Sequence, residues 1–303
     1  MAHQEPVVTQ ELTVDQLGPN NIQPLDPSLL KLSDEEREFL HAVITPDDEE
    51  LKQRILEVQK QASAKHPYPC IRAFHFVNLF MAQNSIYPDV VLSGRAADTL
   101  FLDLGCCTGT DVRKLAYDGY PALNIFGVDL RLDFIDLGYK LFGDAESCPV
   151  HFFSADIFGA PINFDPRPVA PPSHLVKTLD QLKASVDHIY TGALFHLFDE
   201  PTQYSIALRV VTLLKRKKGS VVFGRHQGLS EAGSIDDHMG RSRFGHSPYS
   251  WAKMWKEAFA EAESPEFAEE NVVVVATLTP GFEESLFKTA RRVEMLYWSV
   301  RIV

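Results

Sequence analysis

Thr99-Leu-Phe-Leu-Asp-Leu-Gly-Cys-Cys-Thr-Gly-Thr110 is the stretch that decides the fold of this chain. A short apolar run ends in Asp103, a tight turn runs from Gly105 to Gly109, and the amphipathic stretch Asp111–Tyr117 follows. The order is strand, loop, helix, with small residues where a ligand must approach the backbone. Twenty residues beyond Gly109, the run Asn124-Ile-Phe-Gly-Val-Asp129 ends in a second acid. A carboxylate at the tip of the second strand of an α/β unit can accept both hydroxyls of a ribose. Together the two pieces outline a nucleoside-cofactor pocket.

Two cofactors fit that outline. A dinucleotide loop reads G-x-G-x-x-G, because a pyrophosphate sits on the helix N-terminus. Here the loop is Gly105-Cys-Cys-Thr-Gly109, with no third glycine at the right place. Asp103 just before the turn would repel a pyrophosphate but suits a ligand with a cationic end. S-adenosylmethionine (SAM) carries an ammonium and a sulfonium and no phosphate. The spacing Asp103-x-Gly105-x-x-x-Gly109 resembles motif I of class I SAM-dependent methyltransferases. The usual form in that family is acid-x-Gly-x-Gly-x-Gly, so Cys107 stands where a middle glycine is common.

The resemblance runs from about Leu100 to Val303, two thirds of the chain. It implies a Rossmann-like α/β fold, the seven-stranded class I methyltransferase sheet, with a helical N-terminal cap. The division expected is 1–97 for an arm and cap and 98–303 for the SAM-binding domain. The cofactor contacts it implies are Tyr68 from the cap, Asp103, Gly105, Cys106, Thr108 and Gly109 in motif I, Asp129 and Leu130, Asp156 and Ile157, and Thr191. Asp103 would hold the amino-acid end through the loop, Asp129 the ribose and Asp156 the adenine amino group, with Ile157 near the ring.

Composition narrows the partners. At 303 residues and 45% hydrophobic, the chain can build a large core. A formal charge of −12 argues against nucleic acid, which needs a basic footprint. The one basic cluster, Lys215-Arg-Lys-Lys218, lies past a predicted helix beside Gly219, where cations favour the helix C-terminus. The four cysteines form no disulfide framework and no zinc spacing, so no metal is expected and a reducing compartment fits. No apolar run reaches the roughly 20 residues that cross a bilayer. The expectation is a cytoplasmic protein with a small-molecule substrate, no nucleic-acid or membrane partner, and a homodimer left open.

The pattern along the chain agrees with α/β alternation. Residues 1–30 read as an irregular Pro- and Asn-rich arm. Ser33 with Glu36 reads as a capping box, and Thr45-Pro46 opens a second helix with Thr45 as its cap. A further helix starts over Ile71–Asn78. Strands are expected at Leu100–Leu104, Ile125–Asp129, Val150–Ser154, Val186–Tyr190 and Gly219–Gly224. Helices are expected at Asp111–Tyr117, Leu132–Phe142, His174–Lys183 and Pro201–Leu214. Asn271–Thr279 and Arg292–Ile302 would close the sheet as an antiparallel pair. Gly159–Pro172 and Arg225–Tyr249 read as loops.

Methyl transfer from a sulfonium is an in-line displacement, and alignment alone supplies several kcal/mol. A carboxylate acceptor is already ionised at neutral pH and needs no base, whereas a phenol or alcohol does. His196, after the fourth strand, and His226, where the fifth ends, are the candidate catalytic residues. Arg225 is a candidate partner for an acidic substrate. His238 and His246 flank Arg241 and Arg243 in the long loop. Phe74, Phe76, Phe80, Trp251 and Trp255 suit an apolar substrate cavity. Pro67-Tyr-Pro-Cys-Ile-Arg-Ala-Phe-His-Phe76 and Ala193–Phe198 are similar to fungal secondary-metabolite O-methyltransferases, whose meroterpenoid members esterify a carboxyl. That resemblance implies a SAM-dependent O-methyltransferase acting on the carboxyl or hydroxyl of a small metabolite. A protein methyltransferase, a non-catalytic SAM-binding protein and a nicotinamide-dependent reductase are the rivals.

Overall fold

The structure is a computed structural model that describes residues 24–168, 175–235, 242–280 and 294–303. Helices come first: α1 (Asp34–Val43), α2 (Asp48–Lys65), α3 (Pro69–Arg72) and α4 (Tyr87–Ala96). The sheet follows as β1 (Phe101–Leu104), β2 (Ile125–Asp129), β3 (His151–Ser154), β4 (His188–Gly192) and β5 (Val221–Gly228). It is completed by β8 (Val272–Pro280) and β9 (Glu294–Ile302). A hairpin of β6 (Gly233–Ile235) and β7 (Arg243–Gly245) stands apart from it. The remaining helices are α5 (Thr110–Tyr117), α6 (Leu132–Phe142), α7 (Glu200–Leu213), α8 (Pro248–Ala262) and α9 (Pro265–Asn271). No helix among the described residues is long and apolar enough to cross a membrane.

The seven strands are ordered β3-β2-β1-β4-β5-β9-β8. The first five are parallel and β9 runs antiparallel to both neighbours, as the two apolar tail runs led us to expect. The order reverses between β1 and β4, so a crevice opens at their carboxyl ends. Side chains alternate between the two faces of each strand. One face, with Phe101, Ile125, Tyr190 and Phe223, packs on Val90, Val112, Leu115 and Tyr120. The opposite face, with Leu102, Phe126, Ile189, Val222 and Trp298, packs on α7 and α8. A third cluster joins Leu51, Ile55 and Val58 of α2 to Phe134, Leu137 and Leu141 of α6. Through it the N-terminal helices rest directly on the helix that follows Asp129.

Local chemistry explains the helix ends. Ser33 and Glu36 form the reciprocal capping box, with Glu36 N donating to Ser33 Oγ at 3.2 Å and Ser33 N to Glu36 Oε2 at 2.8 Å. The second helix starts later than expected. Asp47 is its cap, accepting from Glu50 N at 2.8 Å, and Thr45 instead donates to Glu50 Oε2. A carboxylate at the cap also complements the helix dipole. The helix expected from Ile71 is broken, because Phe74 takes φ 60°, which a right-handed helix cannot contain. The helix expected at His174–Lys183 is one 3₁₀ turn, Leu179–Leu182, and His174 lies outside the described residues. β5 runs four residues past Gly224 because β9 continues to pair with it as far as Gly228. Neither α4 nor α8 was read from the pattern.

The basic cluster is absorbed by the fold. Lys215 and Lys217 pair with the buried Asp187 at 2.7 and 2.9 Å, and Arg216 pairs with Glu263.

Gly138 of α6 lies against the motif I loop, and a Cβ there would stand 2.2 Å from the Thr108 carbonyl oxygen. Gly138→Ala is therefore expected to lower stability by about 1–3 kcal/mol, as overpacked sites do. Urea unfolding should show a lower midpoint with an unchanged slope.

Candidate functional site

The loop after β1 is folded back on the end of β2. Gly105 N and Cys106 N both donate to Val128 O, at 2.8 and 3.0 Å. Cys107 N donates to Asp129 Oδ2 and Arg131 N to Asp129 Oδ1, each at 2.8 Å. Three loop residues have positive φ: Gly105 (88°), Cys107 (52°) and Gly109 (70°). Cys107 thus adopts the left-handed conformation that the family's middle glycine would adopt freely, an uncommon state for a residue with a side chain. A Cβ added at Gly105 would meet nothing within 4 Å. The loop therefore shows bare backbone to the cavity at that point.

That cavity, about 620 Å³, sits at the carboxyl ends of β1, β2 and β4 and is walled by the N-terminal helices on its other side. The volume falls within the range of small-molecule sites. Of the sequence-predicted cofactor residues, Tyr68, Asp103, Gly105, Cys106, Asp129, Leu130, Asp156 and Ile157 line it. Tyr68 meets Phe134 of α6 edge-on at 6.0 Å, so a cap residue and a sheet-side helix share one wall. Asp129 accepts two backbone N–H bonds, which fix its carboxylate at the mouth of the loop. Asp156 Oδ1 accepts from Phe158 N at 2.9 Å.

Three expected contacts lie elsewhere. Thr108 is turned to the cap, its hydroxyl donating to Phe76 O at 2.8 Å. Gly109 is backed by Phe152 and Arg113, so its importance is conformational. Thr191 is fully buried on the α7–α8 face of β4 and does not line the cavity.

Both candidate catalytic histidines also stand behind the wall. His226 is one residue past Arg225 on β5, so it faces the opposite side of the sheet. There it accepts from Trp298 Nε1 at 3.1 Å and packs on Trp251, with ring centroids 4.4 Å apart. Burial first, then the nearby His246 and Arg225, hold its imidazole far below the usual value, so it stays neutral. His196 stacks on His226 at 6.4 Å, while its neighbours Ala193, Leu194, Leu197 and Phe198 line the cavity. Trp251 and Trp255 are core residues of the same cluster, and Phe74 belongs to the cap core. Phe76 and Phe80 do line the cavity. His246 is buried beside Trp251, while His238 and Arg241 lie outside the described residues.

Sequence reasoning passed over several wall residues: His75, Asn78, Asp111, Arg131 and Tyr190. The signal for Tyr190 was available. It pairs across the sheet with Asp103, so the two share a face. Arg225 lies two residues beyond Phe223, the β5 partner of Tyr190, and shares that face too.

The site is electrostatically unbalanced. Asp103 is 2% exposed, and its Oδ1 has no hydrogen-bond partner among the described residues. Burial, then the charges of Asp111 and Asp129, push its carboxyl well above the ordinary range. Burial likewise raises Asp111 to about 7, against the pull of Met81 N–H and Arg225. His75 is driven down to about 3 by burial and by Arg225. Clustered acids that resist ionisation mark a place where a cationic ligand would be stabilised. An ammonium and a sulfonium meet that requirement, and a pyrophosphate does not.

Comparison with known proteins agrees with this geometry. A family model described as the meroterpenoid methyltransferase N-terminal domain matches residues 25–77. The O-methyltransferase phiE of a fungal species is 34% identical over 224 residues, 73% of this chain and 69% of that protein. The Asnovolin E/Chermesin D methyltransferase nvfJ of Aspergillus novofumigatus is 30% identical over 243 residues, 79% of this chain and 81% of that protein. Among solved structures, Burkholderia thailandensis 1,6-didemethyltoxoflavin-N1-methyltransferase superposes with a TM-score of 0.46 at 13% identity, over 93% of this chain and 95% of that chain.

The raised acid gives a pH signature. Asp111 has a folded value near 7 against 3.8 unfolded, so the fold favours its neutral form. Its contribution to stability is full below 3.8 and is lost as pH rises through 7. Asp111→Asn, which keeps an acceptor for Met81 N–H, should be more stable than the wild type above pH 7. That gain should shrink as pH falls from 7 to 4 in thermal unfolding without ligand.

Proposed function

The chain belongs to the fungal, meroterpenoid-type family of SAM-dependent methyltransferases, and from that premise we propose that it methylates the carboxylate oxygen of a small, partly apolar acid. The observation that carries the reading is the set of strand-end acids, Asp103, Asp129 and Asp156, around one cavity beside an exposed loop backbone. When bound, SAM supplies an electrophilic methyl group.

The chain's own residues divide the remaining work. Asp129 would accept from the ribose hydroxyls and Asp156 from the adenine amino group, with Ile157 and Leu130 against the ring. Asp103 and Asp111 would offset the cofactor's positive charge and recover the free energy lost in burying them together. Tyr68 and Phe134 would close the wall above it, giving the helices before β1 the part of a cap. Phe80, Phe158, Leu197 and Phe198 wall the remaining space with apolar surface that excludes water and suits a small molecule.

A carboxylate acceptor fits the histidine geometry. An alcohol or phenol acceptor needs a base within hydrogen-bond reach. His196 and His226 stand behind the wall, and His75, which lines it, is a poor base with its value near 3. A carboxylate arrives ionised at neutral pH.

Two outcomes are expected. S-adenosylhomocysteine at a hundred times its dissociation constant should stabilise the protein by about 2.7 kcal/mol, NAD should not, and Asp129→Ala should abolish the shift. With an acid acceptor, kcat should be flat from about pH 8 to 9, above the value of Asp111, and His196→Ala should cost less than tenfold. A loss of about a hundredfold or more would instead indicate general-base catalysis.

A further inference from the structure

Arg225 is 4% exposed and lines the cavity from β5, and its side-chain Nε has no hydrogen-bond partner among the described residues. Its guanidinium lies over the Phe80 ring, 3.3 Å from the centroid. Asp111 is close enough to be felt as a charge but is not within ion-pairing distance. His75, Tyr190 and His226 are the other titratable groups that sense Arg225. Tyr190 is 2% exposed, and its hydroxyl is also without a hydrogen-bond partner. The two side chains rise from adjacent strands on one sheet face. Gly192 pairs with Arg225, and a Cβ at Gly192 would stand 3.0 Å from Tyr190 Oη. The missing side chain at Gly192 thus keeps the space beside the hydroxyl clear.

A buried guanidinium with an unsatisfied donor costs free energy unless an anion pairs with it. Its planar fork matches a carboxylate, and a phenol hydroxyl supplies one more donor. We infer that Arg225 and Tyr190 form a clamp for the carboxylate of the acceptor and are its specificity-determining residues. The inference rests on the methyltransferase reading above. Two carboxylates could occupy the clamp, that of the acceptor and that of the cofactor's amino-acid end. The acceptor is favoured by position. Arg225 stands two strands from the β1 loop, roughly 10 Å across the sheet. It lies beside the aromatic wall instead, held there by Phe80. Asn84 Nδ2, which donates to Gly224 O at 3.1 Å, steadies the backbone at the same point.

Benzoate and its neutral counterpart benzamide test the clamp on the full chain, read by thermal shift and titration in the presence of S-adenosylhomocysteine. Benzoate should stabilise the wild type and benzamide should do so much less. Arg225→Met should weaken benzoate by about tenfold or more, and Tyr190→Phe by about threefold to tenfold, as expected for charged and single hydrogen bonds. Arg225→Lys should retain part of the preference for benzoate, which a merely structural role would not predict. S-adenosylhomocysteine affinity should be unchanged in all three variants. A fall in that affinity with Arg225→Met would assign the arginine to the cofactor's carboxylate and overturn the clamp. Equal binding of benzoate and benzamide, or no benzoate shift on the wild type, would also overturn it. Failure of S-adenosylhomocysteine to bind the wild type would instead remove the methyltransferase reading itself.

Discussion

The turn from Gly105 to Gly109 is held from three directions, and the site depends on that restraint. The end of β2 accepts from it through Val128 O and Asp129. The cap is tied to it by Thr108 and Thr110, both donating to Phe76 O. From α6, Gly138 closes on the Thr108 carbonyl. These contacts hold Cys107 in a left-handed conformation that its side chain disfavours. The strain is local, and neighbours on separate elements over-determine it. A cofactor loop fixed in this way presents its backbone to a ligand without first paying an ordering cost.

Charge is the second organising feature. The cavity wall gathers the acids Asp103, Asp111 and Asp129 together with Arg225 from β5. The acids and the arginine stay beyond ion-pairing distance, so neither side neutralises the other. Asp103 Oδ1 and Arg225 Nε are buried without a hydrogen-bond partner among the described residues, which costs stability. The arrangement makes sense if each side awaits a ligand of opposite sign: a cationic donor by the acids, an anionic acceptor by the arginine.

The N-terminal helices contribute more than a cover. Tyr68, His75, Phe76 and Phe80 all reach the cavity wall, and Phe80 lies against the Arg225 guanidinium. Their packing on α6 through a shared apolar cluster couples this wall to the helix that follows Asp129. The two walls of the cavity are thereby placed by one continuous packed body.

Much of this was legible in the chain itself. The short apolar runs marked every strand of the sheet, and the spacing of Asp103, Asp129 and Asp156 marked its carboxyl end, because both are local properties of the chain. Which face of a strand meets the cavity was not legible, for an equally physical reason. His226 and Arg225 are neighbours in sequence, yet in a strand they point to opposite faces, and only the pairing of β5 with β4 and β9 shows which face meets the cavity. His226 went to the aromatic core with Trp251 and Trp298, and Arg225 to the pocket. The same parity brought Tyr190 beside Asp103 and turned Thr191 away. The breaks at Phe74 and Cys107 likewise depend on contacts with distant elements. The sequence by itself therefore determined the sheet, its order of elements and the acids at its carboxyl end. Tertiary structure alone decided which side chains face the cavity, because facing is a property of paired strands and packed helices rather than of any single segment.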